Sequence, residues 1–239
     1  MQSIGTDPKS LAGRPISESK LMGQVFTPER IAAQMVAELL QDRLCSGLII
    51  LDPAVGPATF PISMMTTGKL HSNDKLVLRD IDEKMVIKTR QELVRAGISV
   101  DLKRCDYLQE SGGPYDLIIM NPPYVRQEWI DKKELYRAVF QERYNTIVPG
   151  TSNLYVYFIV KALAELKLGG KLVCIVYDSW LFTKFGRWLA GILQANCGDV
   201  KTTNIGQQPF QGKLIDATII TATRTTKQFV GKPPLCQYK

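Results

Sequence analysis

Histidine is almost missing from this chain: His71 is the only one in 239 residues. A histidine-based metal centre and a Ser-His-Asp triad therefore have nothing to be built from, and no metal is expected. The cysteines Cys45, Cys105, Cys174, Cys197 and Cys236 form no CxxC pair and are odd in number. That disfavours a disulfide framework and points to a reducing, cytoplasmic compartment. No apolar run is long enough to span a bilayer, and the first residues lack a signal-peptide pattern. Internal repeats and low-complexity segments are also lacking, which excludes solenoids and compositional linkers.

What remains is an ordinary globular composition, large enough for one substantial core. The net charge of +7 and pI of about 9.1 suit a polyanionic partner, although a basic surface alone is a weak signal. Residues 1–22 are polar and carry Gly5, Pro8, Gly13 and Pro15; they read as a flexible arm. Thr27-Pro28-Glu29-Arg30 reads as a helix start, with threonine as cap and proline in the first helical position. Ile31, Met35 and Leu39, with Ala32, Val36 and Leu40, then repeat every four residues.

Further on, apolar runs alternate with helical patterns. Strands are predicted over 48–51, 76–78, 100–102, 115–120, 171–177, 200–204 and 215–223. Helices are predicted after the first strand, over 83–96, around 131–143, over 153–168 and over 184–195. This alternation predicts an α/β fold with a mostly parallel sheet covered by helices on both faces. One domain is expected over 23–226, followed by a C-terminal tail over 227–239.

In such folds function gathers at the carboxyl ends of the strands, and four of these ends carry suggestive residues. The first strand runs into Asp52-Pro53-Ala54-Val55-Gly56-Pro57-Ala58. The second ends at Asp80 and Asp82, the third is followed by Asp106-Tyr107, and the fourth ends in Asn121-Pro122-Pro123-Tyr124. Small residues after the first strand let a ligand approach the backbone. A carboxylate after the second can accept from both ribose hydroxyls, and an acceptor after the third can take an adenine amino proton. A nucleoside cofactor fits this set. The loop is neither GxGxxG nor a P-loop, which argues against NAD and ATP.

These residues resemble the gamma class of amino-methyltransferases acting on DNA. Residues 23–36, GQVFTPERIAAQMV, are similar to that class's N-terminal cofactor motif. The stretch from Asp52 to Phe60 is similar to its glycine-rich loop for S-adenosylmethionine (AdoMet), and Asn121-Pro122-Pro123-Tyr124 matches its catalytic tetrad. The resemblance covers residues 23–225 and implies a Rossmann-like class I AdoMet-dependent methyltransferase with a mostly parallel seven-stranded sheet.

Carried over, Thr27 and Pro28 border the methionine part of AdoMet, and Asp52, Ala54 and Gly56 shape its pocket. Asp80 takes the ribose hydroxyls, Ile81 packs on the cofactor's adenine, and Asp106 accepts from its amino group with Tyr107 or Leu108 beside it. Asn121 and the carbonyl of Pro122 accept from the target nitrogen, Pro123 stiffens the loop, and Tyr124 stacks on the target ring. Phe210 corresponds to the aromatic that holds the flipped base. The chain departs from the family at Gly56-Pro57-Ala58, where a second glycine is usual: Pro57 removes an N–H donor and Ala58 places a methyl near the cofactor.

The resemblance implies N6-adenine methylation of DNA, within a restriction-modification system. It also implies a target-recognition domain, for which the residues after the last strand leave no room. Three explanations stay open: a fragment, a separate specificity subunit, or reading of DNA by the basic and aromatic stretch 125–150. The tetrad alone also fits a protein-glutamine methyltransferase acting on release factors, and the altered loop fits a non-catalytic AdoMet- or DNA-binding subunit.

Overall fold

The computed structural model describes residues 10–11, 14–15, 25–41, 45–97, 100–206 and 216–233. Gly23, Gln24, Phe210 and Cys236 therefore lie outside the described residues. Within the stretch read as an arm, Ser10–Leu11 pairs antiparallel with Arg14–Pro15.

The main sheet has seven strands: β1 (Ile49–Asp52), β2 (Lys75–Asp80), β3 (Asp101–Arg104), β4 (Tyr115–Met120), β5 (Leu166–Tyr177), β6 (Cys197–Asn204) and β7 (Ala217–Arg224). Their order is β3-β2-β1-β4-β5-β7-β6. The pairings among β1 to β5 are parallel, and β7 runs antiparallel to both β5 and β6. The helices are α1 (Glu29–Leu39), α2 (Thr59–Thr66), α3 (Glu83–Arg95), α4 (Lys133–Tyr144), α5 (Leu154–Glu165) and α6 (Lys184–Asn196).

Two-residue alternation in the strands builds two cores. Ile50, Leu78, Ile119, Val173 and Ile175 pack with Ile31, Met35 and Leu39 of α1. Leu51, Val77, Ile118, Met120 and Cys174 pack with Tyr155, Ile159 and Leu163 of α5 and with Leu189 and Ile192 of α6. The strands read as near-continuous apolar runs because both faces are covered. Strand order reverses between β1 and β4, so the crevice expected of this topology opens at their carboxyl ends.

Two local expectations differ from the structure. At the start of α1, Pro28 holds the cap position and makes no side-chain capping bond. Thr27 is not the cap, because its hydroxyl bonds Asn121 instead. Helix α5 stops at Glu165, before Gly169-Gly170, and β5 begins at Leu166. The reason lies on β7: the buried Arg224 guanidinium donates to the carbonyls of Leu163 (3.2 Å), Ala164 (3.0 Å) and Leu166, and so caps the helix end from outside. The first part of the tail is docked on α6, where Val230 donates to Asn196 Oδ1 at 2.7 Å.

Candidate active site

A cavity of about 270 Å³ lies at the switch point between β1 and β4. Small-molecule sites usually measure roughly 300–1,000 Å³, so a nucleoside-sized ligand is the right scale. Ala54, Gly56, Asp80, Ile81, Asp106, Tyr107, Asn121 and Pro123 all line it. Thr27, Pro28, Asp52, Pro122 and Tyr124 do not. Thr27 and Pro28 border a separate groove that also contains Pro57.

The loop after β1 is held by its neighbour. Asp80 accepts the Gly56 N–H at 2.8 Å and the Asp82 N–H at 2.9 Å, one on each carboxylate oxygen. Each oxygen keeps a second lone pair for an incoming hydroxyl. Gly56 has φ +53° and Ala58 has φ +66°, so both sit in the left-handed region. Ala58 is fully buried and packs in the α1-side core. Its methyl therefore points away from the cavity, contrary to the expectation that it lies near the cofactor.

Asp52 is 1% exposed. Its Oδ1 accepts the Ala54 N–H at 3.2 Å, while Oδ2 is buried without a partner among the described residues. Burial holds its carboxyl well above the usual range; the Ala54 bond works against this, and nearby Asp80 adds to it. Burial likewise raises Asp80. Burial thus holds both acids toward the neutral form, and Oδ2 of Asp52 is an unmet hydrogen-bonding group behind the loop.

Asp106 is held from the other side. Its Oδ2 accepts from the Tyr136 hydroxyl at 3.0 Å and from Lys132 at 3.1 Å, and its Oδ1 from the Leu108 N–H at 3.2 Å. Trp129, Ile130, Lys132 and Tyr136 close this end of the cavity. Part of the basic and aromatic stretch read as a nucleic-acid contact thus faces the cofactor end. Tyr107 carries its hydroxyl inward, donating to Glu165 at 2.8 Å. Glu165 also pairs with the buried Lys161. Sequence reasoning missed Phe26, Met85 and Phe158 in the lining. Phe158 lies on an almost wholly buried helix, where periodicity marks no face.

The Asn121 amide has a fixed orientation. Its Nδ2 donates to the Val25 carbonyl at 2.7 Å and to Thr27 Oγ1 at 2.9 Å. A carbonyl can only accept, so the NH₂ must face residues 25–27 and Oδ1 must point the other way. That Oδ1 is buried and has no partner among the described residues. Tyr124 donates its hydroxyl to the Ile175 carbonyl at 2.8 Å and stacks on Tyr177, with centroids 3.7 Å apart and planes 9° apart.

Comparison with known proteins places this geometry. A family model described as Eco57I restriction-modification methylase matches residues 59–210. The type II methyltransferase M.BanIII of Aneurinibacillus aneurinilyticus is 26% identical over 249 residues, covering 93% of this chain and 42% of the relative. The chain thus spans less than half the length of that relative. A protein from Listeria monocytogenes, assigned to the class I S-adenosylmethionine-dependent methyltransferases, superposes with a TM-score of 0.68 at 19% identity, covering 88% of this chain and 63% of that one. The methyltransferase subunit of a type I restriction-modification system from Streptococcus thermophilus gives 0.71 at 15% identity, covering 87% and 47%. The fold is therefore that of the class I AdoMet-dependent methyltransferases, as the resemblance implies. With more than half of its residues matched by the model, the chain belongs to the Eco57I restriction-modification methylase family.

Proposed function

We propose that this chain binds AdoMet and transfers its methyl group to the N6 amino group of adenine in DNA. The observation that carries the reading is the Asn121 amide, whose buried Oδ1 has no partner while its NH₂ is locked in place. A buried unpaired acceptor costs about 1–3 kcal/mol. It persists where a ligand donor is meant to meet it. An exocyclic amino group supplies such a donor.

The cavity residues fit AdoMet. Asp80 would take the ribose hydroxyls and Asp106 the adenine amino group, Ile81, Met85 and Phe158 supply apolar lining, and Asp52, buried behind the wall, holds the Ala54 N–H of the loop. AdoMet, when bound, supplies an electrophilic methyl. The protein's task is to make a poor nucleophile reactive, because the amino lone pair of adenine is delocalised into its ring. Asn121 Oδ1 and the Pro122 carbonyl each accept one N–H, which localises that lone pair. The developing positive charge on nitrogen strengthens both bonds, so they act mainly in the transition state. Pro122 and Pro123 restrict the backbone that carries these acceptors. The target base must leave the duplex to reach them.

Specificity would come from residues or a subunit beyond the catalytic domain proposed here over 23–226, within a restriction-modification system. The test is to incubate the chain with methyl-labelled AdoMet and duplex DNA, RNA or protein extract, then digest the DNA to nucleosides. N6-methyladenine by mass spectrometry, lost in Asn121→Ala, is the expected result. Label in protein alone would replace the reading with glutamine methylation.

A further inference from the structure

Asp106 is gripped by two donors from outside its own turn, and the mechanism uses neither. Lys132 holds the cap position of α4 and Tyr136 follows four residues on, so both stand on one face of that helix. The Tyr136 N–H donates to the Lys132 carbonyl at 2.9 Å, which closes the first turn and fixes their spacing. Tyr136 donates its hydroxyl to Asp106 Oδ2 at 3.0 Å, and Lys132 donates its ammonium to the same oxygen at 3.1 Å. The Gln109 side-chain amide donates there as well. Three donors crowd an oxygen that has two lone pairs, so Oδ2 is fully engaged. Oδ1 accepts only the Leu108 N–H, at 3.2 Å, among the described residues. It is the oxygen with a lone pair to spare, and Asp106, Lys132 and Tyr136 all line the cavity.

An aspartate held at neither oxygen turns about χ2 and presents either one. The grip on Oδ2 removes that freedom. The Tyr136 ring is buried in the core, so packing sets where its hydroxyl lies, and Lys132 adds a charge. We infer that Lys132 and Tyr136 are positioning residues that aim Asp106 Oδ1 at the cofactor's nucleobase, and that this aim selects a purine with a 6-amino group over one with a 6-oxo group. The inference rests on the reading of the cavity as an AdoMet site. A carboxylate only accepts, so an amino group meets it as a donor, whereas an oxo group sets a second acceptor against it. The discrimination needs an oxygen that cannot turn away, because a loose carboxylate rotates toward water and tolerates either base.

Calorimetry on the full chain tests this with two probes, S-adenosylhomocysteine and S-inosylhomocysteine, which carry an amino and an oxo group at the purine 6-position. Wild type should prefer the amino ligand about 10–100-fold, the worth of one hydrogen bond to a charged group. Tyr136→Phe removes only the hydroxyl, and Lys132→Met keeps the chain length without the charge. Each should lower that preference at least about threefold, mainly by weakening S-adenosylhomocysteine, and the double variant should lower it further. Lys132→Arg should keep it. Loss of affinity for both ligands by the same factor would make the pair a mere wall of the cavity and overturn the inference. A preference unchanged in both single variants would overturn it as well. Equal binding of the two ligands by wild type would show that Asp106 does not read the amino group, which overturns the inference and spares AdoMet as the cofactor. No binding of S-adenosylhomocysteine at millimolar concentration would overturn the AdoMet reading together with it.

Discussion

At the ends of β1, β2 and β3, protein bonds already hold the acids: Asp80 carries two backbone N–H groups, and Asp106 carries Tyr136 and Lys132. At the ends of β4 and β5 the arrangement is the reverse. Asn121 Oδ1 is sealed and unpaired, and the aromatic face beside it is covered by Tyr177. One half of the crevice lines its wall with acids that the protein already holds, and the other presents an amide with only its NH₂ engaged. The difference suits the two ligands proposed. A cofactor of constant shape rewards a preformed site, whereas a poor nucleophile needs an acceptor that is still unspent when it arrives.

The rigidity of the first half can be broken from below. Glu165 anchors Tyr107 and the Gly112 N–H, and it is the partner of fully buried Lys161. Burial holds the Lys161 ammonium below its usual range despite Glu165. Glu165→Ala leaves that lysine without its carboxylate and should cost about 3–5 kcal/mol in denaturant unfolding. It should also weaken cofactor binding through the Asp106-Tyr107 turn. A loss below about 1 kcal/mol would show that this turn does not depend on the buried pair.

Asn121→Ala addresses the second half. It removes one transition-state acceptor and should lower kcat about 10²–10³-fold. The thermal shift produced by S-adenosylhomocysteine should fall far less than turnover, because Asn121 is one of many residues lining the cavity. An equal loss of both would erase the distinction between the halves.

Asp52 is the one member of the cofactor half with an unpaired oxygen. Asp52→Asn should change cofactor affinity by less than about tenfold, because Asp52 lies behind the cavity wall and reaches it only through the Ala54 N–H. The same change should stabilise the free protein. Because burial raises the folded-state pKa of Asp52, the folded chain holds a proton that the unfolded chain has released, throughout the window between the ordinary carboxylate range and the raised value. Stability is complete below that window and falls as pH rises through it. The asparagine variant should lose that fall with pH. Melting curves across pH, with and without S-adenosylhomocysteine, separate the two effects.

Much of this was legible in the chain itself. The seven strands could be read because β-branched and aliphatic runs end in acids, prolines and glycines, and the strand ends then gave Asp80, Asp106 and Asn121. What could not be read came from distant partners. The stop of α5 depends on Arg224, which lies about sixty residues further along. The hydroxyl of Thr27 looked like a helix cap until Asn121, 94 residues away, claimed it. Phe158 gave no signal because its helix is buried on nearly every side. The stack of Tyr177 on Tyr124 gave none, because a tyrosine ending a buried strand looks like ordinary core.

The smallest expected effect concerns Gly56-Pro57-Ala58, the departure that raises the question of impaired cofactor binding. Ala58 holds φ +66°, a strain of roughly 1–2 kcal/mol for a residue with a Cβ. Ala58→Gly relieves that strain, but it gives up about 0.4–1 kcal/mol of unfolded-state entropy and one buried methyl worth about 0.8 kcal/mol. These contributions nearly cancel, so unfolding should move by less than about 1 kcal/mol. Because the methyl lies in the core and not in the cavity, the dissociation constant for S-adenosylhomocysteine should stay within about threefold of wild type. The Gly56 backbone, held by Asp80, is what the cofactor would meet, and Ala58→Gly leaves it in place. Tightening beyond about tenfold in the glycine variant would mean that the alanine distorts the loop at a distance. The preformed half of the crevice would then be compromised in this chain.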